Sequence, residues 1–311
     1  MPFAIGGNAR IRTNIPAENA YNALEVSNQD ISLRQLRLST GKRINNAGDD
    51  VAGYITYRAL EARNGAMKSA LNAVGDAVNI SNILMDSLNN IYDILSKIKD
   101  ATSDASSGAS GTDEKVALAK AAYRYAQQIQ TICDSTVFGG SQLLSGTYSA
   151  DFVIGTNAVH NFLTLAIDMT TGNADFNVSS LNFNTNAMQV NIFAGVTGLD
   201  MSLFNDVSST DLGIFSTTQL SLTLTSLSDA IDNVNKAASY LGGIVNRMSS
   251  QQDLLNNQIT NYDAAISRIQ DADVAQEQLQ LVKSQFLQQV SLTTLAQANA
   301  NPQAYLKLIQ G

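Results

Sequence analysis

The sequence predicts a mainly α protein, with long coiled-coil or bundle helices from both chain ends and a small β-rich insertion in the middle. Three observations predict it. Apolar residues recur at steps of three and four over long segments near both termini of the 311-residue chain, which is the helical period. There is no Trp and aromatic content is 6%, which suits helices packed by small and aliphatic side chains. From Gly139 onward the pattern changes to short β-prone runs separated by Gly, Asn, Asp and Thr.

The first helix is expected from about Ala17 to Leu38, where Leu24, Ile31 and Leu38 recur every seven residues. The loop STGKRINNAGDD follows, and Asp49 and Asp50 precede the next apolar-periodic stretch as N-cap residues should. The second helix carries two stripes. Leu71, Val74, Val78, Ser81, Met85, Leu88, Tyr92 and Leu95 form one, and Ala77, Ile80, Leu84, Ser87, Ile91, Ile94, Ile98 and Ala101 the other. A helix with two apolar stripes has to be covered on two sides, as in a bundle. SDASSGASGTDEK breaks it, and a third helix is expected from about Asp113 to Cys133. Short β-prone runs start at Phe152, Phe162, Phe176 and Gln189, so about 147–213 reads as the insertion. The longest helix follows. Its series Leu227, Ile231, Val234, Ala238, Leu241, Val245, Met248, Gln252, Leu255, Ile259, Tyr262, Ile266, Ile269 keeps a four-three rhythm. Gly242 and Gly243 are its defects, each costing up to about 1 kcal/mol relative to Ala. Asp271 and Asp273 read as a joint. A further stripe through Leu279, Val282, Phe286, Leu287 and Val290 then runs toward Pro302 and Gly311, where it is expected to stop. Chain ends are ordinarily polar and frayed. Apolar, patterned ends at both termini call for a partner that covers them.

Charge divides the chain in the same way. The net charge is −8, yet no Lys or Arg lies between Arg124 and Lys236, an interval holding nine of the 27 acids. Nearly neutral ends suit close self-association, and an acidic middle suits exposure and repels copies of itself. No basic stripe supports nucleic-acid binding. No apolar run reaches the roughly 20 residues of a membrane span. MPFAIGGNARIRTN lacks the continuous apolar core of a cleavable signal peptide. Cys133 stands alone, which excludes an intramolecular disulfide framework and reads as a packed small residue.

Motifs for catalysis and metal binding fail on spacing. His160 is the sole histidine and no HExxH occurs, so it reads as a solvated loop or strand residue. Gly41-Lys42 lacks the rest of a phosphate-binding loop, and Asp49-Asp50-Val-Ala-Gly lacks a calcium-loop pattern. Asp271 and Asp273 read as caps before metal ligands. No cofactor or metal is expected, and the chain is not expected to be an enzyme. The many Ser and Thr of the middle read as polar surface before they read as glycan attachment points.

Longer blocks are more specific. Thr13-Asn-Ile-Pro-Ala, LRLSTGKRINNAGDDVAGYITYRAL from Leu36 to Leu60, and STVFGGSQLLSG from Ser135 to Gly146 are three of them. LGGIVNRM, ISRIQDADVAQE and LAQANANPQAYLKLI, between Leu241 and Ile309, complete the set. Together they resemble bacterial flagellin, the filament subunit, over about the first 146 and last 95 residues. The resemblance implies terminal helices, 1–45 and 274–311, that form a coiled coil in the inner tube of a filament. It implies an outer-tube bundle from 46–146 and 214–273, and an outward-facing variable insertion at 147–213. It implies swimming motility, a homopolymer, unfolded export through the flagellar type III apparatus, and an extracellular filament. Its partners would be the flagellar cap and junction proteins and an export chaperone, with no nucleic acid and no membrane insertion.

Physics and resemblance meet on the expected polymerisation interface: Leu24, Ile31, Leu38, Leu279, Val282, Phe286, Leu295, Leu306 and Ile309, buried between helices on assembly. Many flagellins carry an Arg-Val-Arg-Glu-Leu-Ala-Val epitope for an innate immune receptor. The aligned run here is Lys97-Ile98-Lys99-Asp100-Ala101-Thr102-Ser103. Charge type is kept at Lys97, Lys99 and Asp100. Ala101 replaces the Leu and Ser103 the Val, and lysine does not reproduce arginine's fork, which argues against strong receptor activation. The alternatives are a hook–filament junction protein, with similar termini, and an enzyme housed in the insertion, for which no nucleophile–base or metal cluster is in view. Because neither long stripe enters the insertion, removal of about Gly172–Asp211 is expected to leave helices and filament formation intact, with some loss of thermal stability.

Overall fold

The computed structural model describes residues 13–108, 110–155, 163–176, 183 and 192–310; at 155, 163, 192, 301 and 303–310 it describes the backbone alone. His160, Phe162 and the run from Gln189 to Asn191 lie outside the described residues, as do the side chains of Leu306 and Ile309.

Six α-helices are described: α1 Ile15–Thr40, α2 Val51–Ala105, α3 Thr112–Ser135, α4 Leu203–Asp206, α5 Leu220–Gln270 and α6 Val274–Gln310. Three antiparallel hairpins lie between α3 and α4: β1 Val137–Phe138 with β2 Ser141–Gln142, β3 Ser149–Gly155 with β4 Leu163–Asp168, and β5 Ile192–Phe193 with β6 Val196–Thr197. The chain divides into two compact units, residues 1–64 with 260–311, and residues 65–259.

The unit of residues 65–259 closes its own core. Val74, Ala77, Leu84, Leu88, Ile91, Leu95 and Ile98 of α2 are buried in one cluster with Ala119, Ala122, Ala126 and Ile129 of α3 and Leu227, Val234, Leu241 and Met248 of α5. These positions carry the two stripes of α2 and alternate members of the α5 heptad, so both patterns mark inward faces, except at Tyr92, which is exposed. Gly242 and Gly243 sit inside a continuous α5, with nothing within 4 Å of where a Cβ would stand. Packing of α5 overrides their weak propensity.

The middle of the chain belongs to the same core, so removing about Gly172–Asp211 would take buried side chains out of it. Phe176, Phe183, Phe193, Leu199, Met201 and Phe204 are all buried in the helical cluster. Phe176 meets Tyr240 of α5 edge-on with centroids 5.0 Å apart, and Asn233 of α5 donates through Nδ2 to the Ala194 carbonyl at 2.8 Å. That carbonyl sits in the tight β5–β6 turn, where Ala194 has φ 49 and Gly195 φ 76. The β-prone run expected from Phe176 continues outside the described residues, and Phe176 itself ends a 3₁₀ turn, Ala174–Phe176. Asn173 forces it: its Oδ1 accepts from the Asp175 amide at 2.9 Å, and its Nδ2 donates to the Asp168 carbonyl at 2.7 Å. This local capture of the backbone competes with strand pairing.

Cys133 is buried in this unit, and its Sγ donates to the Phe183 carbonyl at 3.0 Å. Burial, with a smaller effect from Asp134, pushes its thiol up to about 12.

The unit formed by 1–64 and 260–311 is built on α1 against α6. Asn14 caps α1, Gly41 ends it in the left-handed conformation at φ 69, and Pro16 occupies the first turn where a missing N–H is harmless. Asp273 caps α6, its Oδ1 accepting from the Ala275 and Gln276 amides at 3.0 and 3.2 Å. The helix does not stop at Pro302, as the sequence suggested, but runs through it to Gln310.

Candidate polymerisation interface

Two faces of α6 have different chemistry. The face toward α1 follows Glu277, Leu281, Ser284, Gln288, Ser291, Leu295 and Ala298, in steps of four and three, and each is buried or half-buried. The matching row on α1 is Ala17, Ala20, Leu24, Ser27, Ile31, Arg34 and Leu38. Seven-residue repeats of this kind make a coiled-coil seam. This one is unusually polar: of the α1 row only Ala20 and Ser27 are fully buried.

Hydrogen bonds and charge tie the two rows together. Arg34 and Arg37 both donate to Glu277, at 2.9 Å to Oε2 and 3.3 Å to Oε1. Glu277 is 7% exposed and sits in the first turn of α6, where the helix dipole favours an acid. Gln288 donates to Asn28 Oδ1 at 2.6 Å, and Asn14 donates through Nδ2 to the Ala298 carbonyl at 2.9 Å.

The loop after α1 docks on the joint between α5 and α6. The Arg43 amide donates to the Gln270 carbonyl at 2.6 Å, Arg43 Nη2 to the Ile269 carbonyl at 2.8 Å, and the Ala272 amide to the Gly41 carbonyl at 2.9 Å. Asp49 Oδ2 accepts from the Asn45 and Asn46 amides, both at 2.9 Å, and these bonds lower its pKa. Asp50 caps α2 by accepting from the Gly53 amide at 2.9 Å. A Cβ on Gly53 would lie 2.5 Å from Asp50 Oδ2 and 2.7 Å from the buried Ile44 side chain, so any larger residue there would have to displace both side chains. Asn64 Nδ2 donates to Asp263 within the same unit.

The other face of α6 is apolar and bare. At 100° per residue, Leu279, Val282, Phe286 and Val290 lie opposite the seam. Leu279 is 64% exposed, Val282 56% and Phe286 65%. Leu287 and Leu292 flank the stripe and are exposed as well. On α1, Tyr21, Val26 and Leu36 are exposed away from the seam. Covering the exposed half of one such residue gives about 1 kcal/mol, so the α6 stripe represents several kcal/mol per chain.

The structure therefore sorts the expected interface residues into two sets. Leu24, Ile31, Leu38 and Leu295 line the seam within the chain; Leu279, Val282 and Phe286 point away from it. The seam partners Arg34, Arg37, Glu277, Asn28, Gln288 and Asn14 were missed by a reading that followed large apolar side chains. Their signal was the seven-residue spacing itself, carried by Ala, Ser, Gln and charge. In the receptor-epitope run Lys97 and Asp100 are exposed and Lys99 is half-buried, while Ala101 is 9% exposed and joins Thr102 on the inner face of α2. No group of three or more His, Cys, Asp or Glu able to hold a metal occurs among the described residues. No helix among them is long and apolar enough to cross a membrane.

Comparison with known proteins matches both ends of the chain. Residues 11–149 match the bacterial flagellin N-terminal helical region, and residues 224–309 match the bacterial flagellin C-terminal helical region. A flagellin of Bacillus subtilis (strain 168) is 28% identical over 316 residues, covering 97% of this chain and 100% of that protein. A flagellin of Halalkalibacterium halodurans is 27% identical, covering 96% of this chain and 99% of its own length. A solved chain described as a flagellar hook-associated protein from Vibrio parahaemolyticus superposes with a TM-score of 0.55 at 14% identity. It covers 72% of this chain and 100% of that one, a likeness of fold.

Proposed function

The chain belongs to the bacterial flagellin family, and from that premise we propose how its two units divide the work of building a filament. It is a structural subunit that self-assembles into the flagellar filament of swimming motility. The unit of residues 65–259 folds on its own, while α1 and α6 complete their burial only against neighbouring copies. The observation that carries this reading is the bare stripe Leu279, Val282, Phe286 and Val290 opposite the seam.

A stripe on one copy that meets a different surface on the next makes a heterologous contact, and such contacts grow into a helical fibre when the rotation does not close. The terminal helices would remain disordered in the free subunit and fold as they are covered. The cost of ordering them is offset only when both faces of α6 are buried. In this reading residues 1–45 and 274–311 form the inner tube, 46–146 and 214–273 the outer tube, and 147–213 faces outward. Leu306 and Ile309 belong to the proposed interface by sequence pattern alone. Growth at an extracellular tip, after unfolded type III export with a chaperone, would place cap and junction proteins as end partners. The subunit carries no catalytic role.

Seeded growth of the purified chain tests the reading. Long tubes seen by electron microscopy support it. Short aggregates that never lengthen from seeds would reject it, and would be the behaviour of a junction protein.

A further inference from the structure

We propose that Asn14 and Pro302 are a matched pair that fixes the axial register of α1 on α6. In an α-helix the N–H of each residue donates to the carbonyl four residues before it. Pro302 has no N–H, so the carbonyl of Ala298 has no donor from its own helix. Ala298 is 5% exposed, which shelters that carbonyl from water. A sheltered carbonyl without a partner is costly. Asn14 supplies the partner: its Nδ2 donates to Ala298 O at 2.9 Å. The same side chain caps α1, Oδ1 accepting from the Ala17 amide at 3.3 Å. One amide therefore satisfies an orphan donor at the start of α1 and an orphan acceptor near the end of α6.

The seam by itself defines register weakly. Its rows are mostly Ala, Ser, Gln and Leu, and a slip by one heptad would set similar side chains against one another. Polar pairs at defined seam positions are the device that selects one register over the others. Pro302 is the sole proline in α6, so it frees a carbonyl at a single height. Only one offset sets the capping residue of α1 against it. The Arg34–Glu277–Arg37 cluster fixes the other end of the same seam. Asn14 is thus a positioning residue, and the proline is tolerated because its cost is met by the partner helix.

This inference rests on the reading of α1 and α6 as assembling helices. Four full-length chains test it: wild type, Asn14→Asp, Pro302→Ala and the double variant. Aspartate caps a helix as well as asparagine does, so Asn14→Asp keeps the cap and replaces the donor by a carboxylate, whose charge is common to both backgrounds and cancels in the comparison. Pro302→Ala returns a backbone N–H to the Ala298 carbonyl from within α6. The readout is the concentration left unpolymerised at equilibrium with seeded filaments. Asn14→Asp is expected to raise it about tenfold in the Pro302 background, about 1.4 kcal/mol, and less than about twofold in the Pro302→Ala background. Equal increases in both backgrounds would overturn the pair while leaving the assembly reading intact. Failure of the wild type to polymerise would reject the assembly reading. The same cycle, read from thermal loss of helix in the soluble chains, then decides the pair: unequal effects support it and equal effects overturn it.

Discussion

The two units of this chain use the same helical period to opposite ends. In residues 65–259 the large aliphatic side chains of α2 and α5 point inward, with Leu84, Leu88, Ile91 and Leu241 fully buried among the phenylalanines of the middle segment. In the unit of residues 1–64 and 260–311, the seam between α1 and α6 holds Ala, Ser, Gln and an Arg–Glu–Arg cluster. The large residues Leu279, Val282 and Phe286 face out. One unit is finished by folding. The other leaves its apolar surface exposed, and its internal seam is largely polar; in the proposed reading that surface is covered by a neighbour. An apolar seam would drive α1 and α6 together in the free chain; a polar one lets them wait until the outer stripe is covered.

The largest effect should come from Phe286→Asp. The carboxylate would have to enter an apolar contact unpaired, which is heavily disfavoured. Filaments should be absent by electron microscopy, while the thermal unfolding of residues 65–259 is unchanged. Normal filaments from this variant would remove Phe286 from the interface.

Truncation separates the units next. Leu88→Ala should lower the unfolding free energy of the soluble chain by about 2–5 kcal/mol, because a fully buried side chain leaves a cavity. Phe286→Ala should change it by less than about 0.5 kcal/mol, as for an exposed position. Chemical denaturation of the two variants compares them directly. Similar losses would abolish the distinction between a closed and an open unit.

A thiol probe reports on the closed unit alone. Cys133 is buried and its pKa is raised to about 12 in the fold. Below the ordinary value of 9.0 the thiol is neutral in both states. As pH rises above 9.0 the unfolded chain loses its proton first, so stability contributed by the buried thiol declines toward pH 12. Alkylation at about pH 8, below the ordinary thiol range, should therefore be slow in monomer and filament alike, and rapid in denaturant. Fast labelling of the native monomer would mean that the Phe183 region opens readily.

The smallest effect concerns the loop between α1 and α2. Asp49 has a lowered pKa because it accepts two backbone amides. Its contribution is present above the ordinary value of 3.8 and is lost as pH falls through the lower folded value. Exchange of the Asn45 and Asn46 amides, corrected for intrinsic rate, should accelerate only below about pH 4. No change in that window would mean the carboxylate does not hold the loop.

How much of this was legible in the sequence differs by region for the same reason. The inward faces of α2 and α5 could be read because burial in a closed core demands large aliphatic residues at regular spacing. Asp50, Asp273 and the α5–α6 joint could be read because capping chemistry is local. The 3₁₀ turn Ala174–Phe176 could not, since it is set by the two side-chain hydrogen bonds of Asn173 and not by any apolar period. The role of the middle phenylalanines could not either: their burial, as of Phe176 against Tyr240 of α5, is a long-range contact that no local pattern encodes. On α6 the apolar stripe was visible but its direction was not. The stripe points away from α1, and the face toward α1 is written in small and polar residues that a search for hydrophobic periodicity passes over.

Hydrogen exchange of residues 15–40 and 274–300, measured in the soluble subunit and again in seeded filaments, tests the central claim most directly. Exchange near the unprotected rate is expected in the subunit and strong protection in the filament, with residues 70–105 and 220–255 protected in both. Equal protection of the terminal helices in the two states would contradict the claim, because α1 and α6 would then be complete without their neighbours.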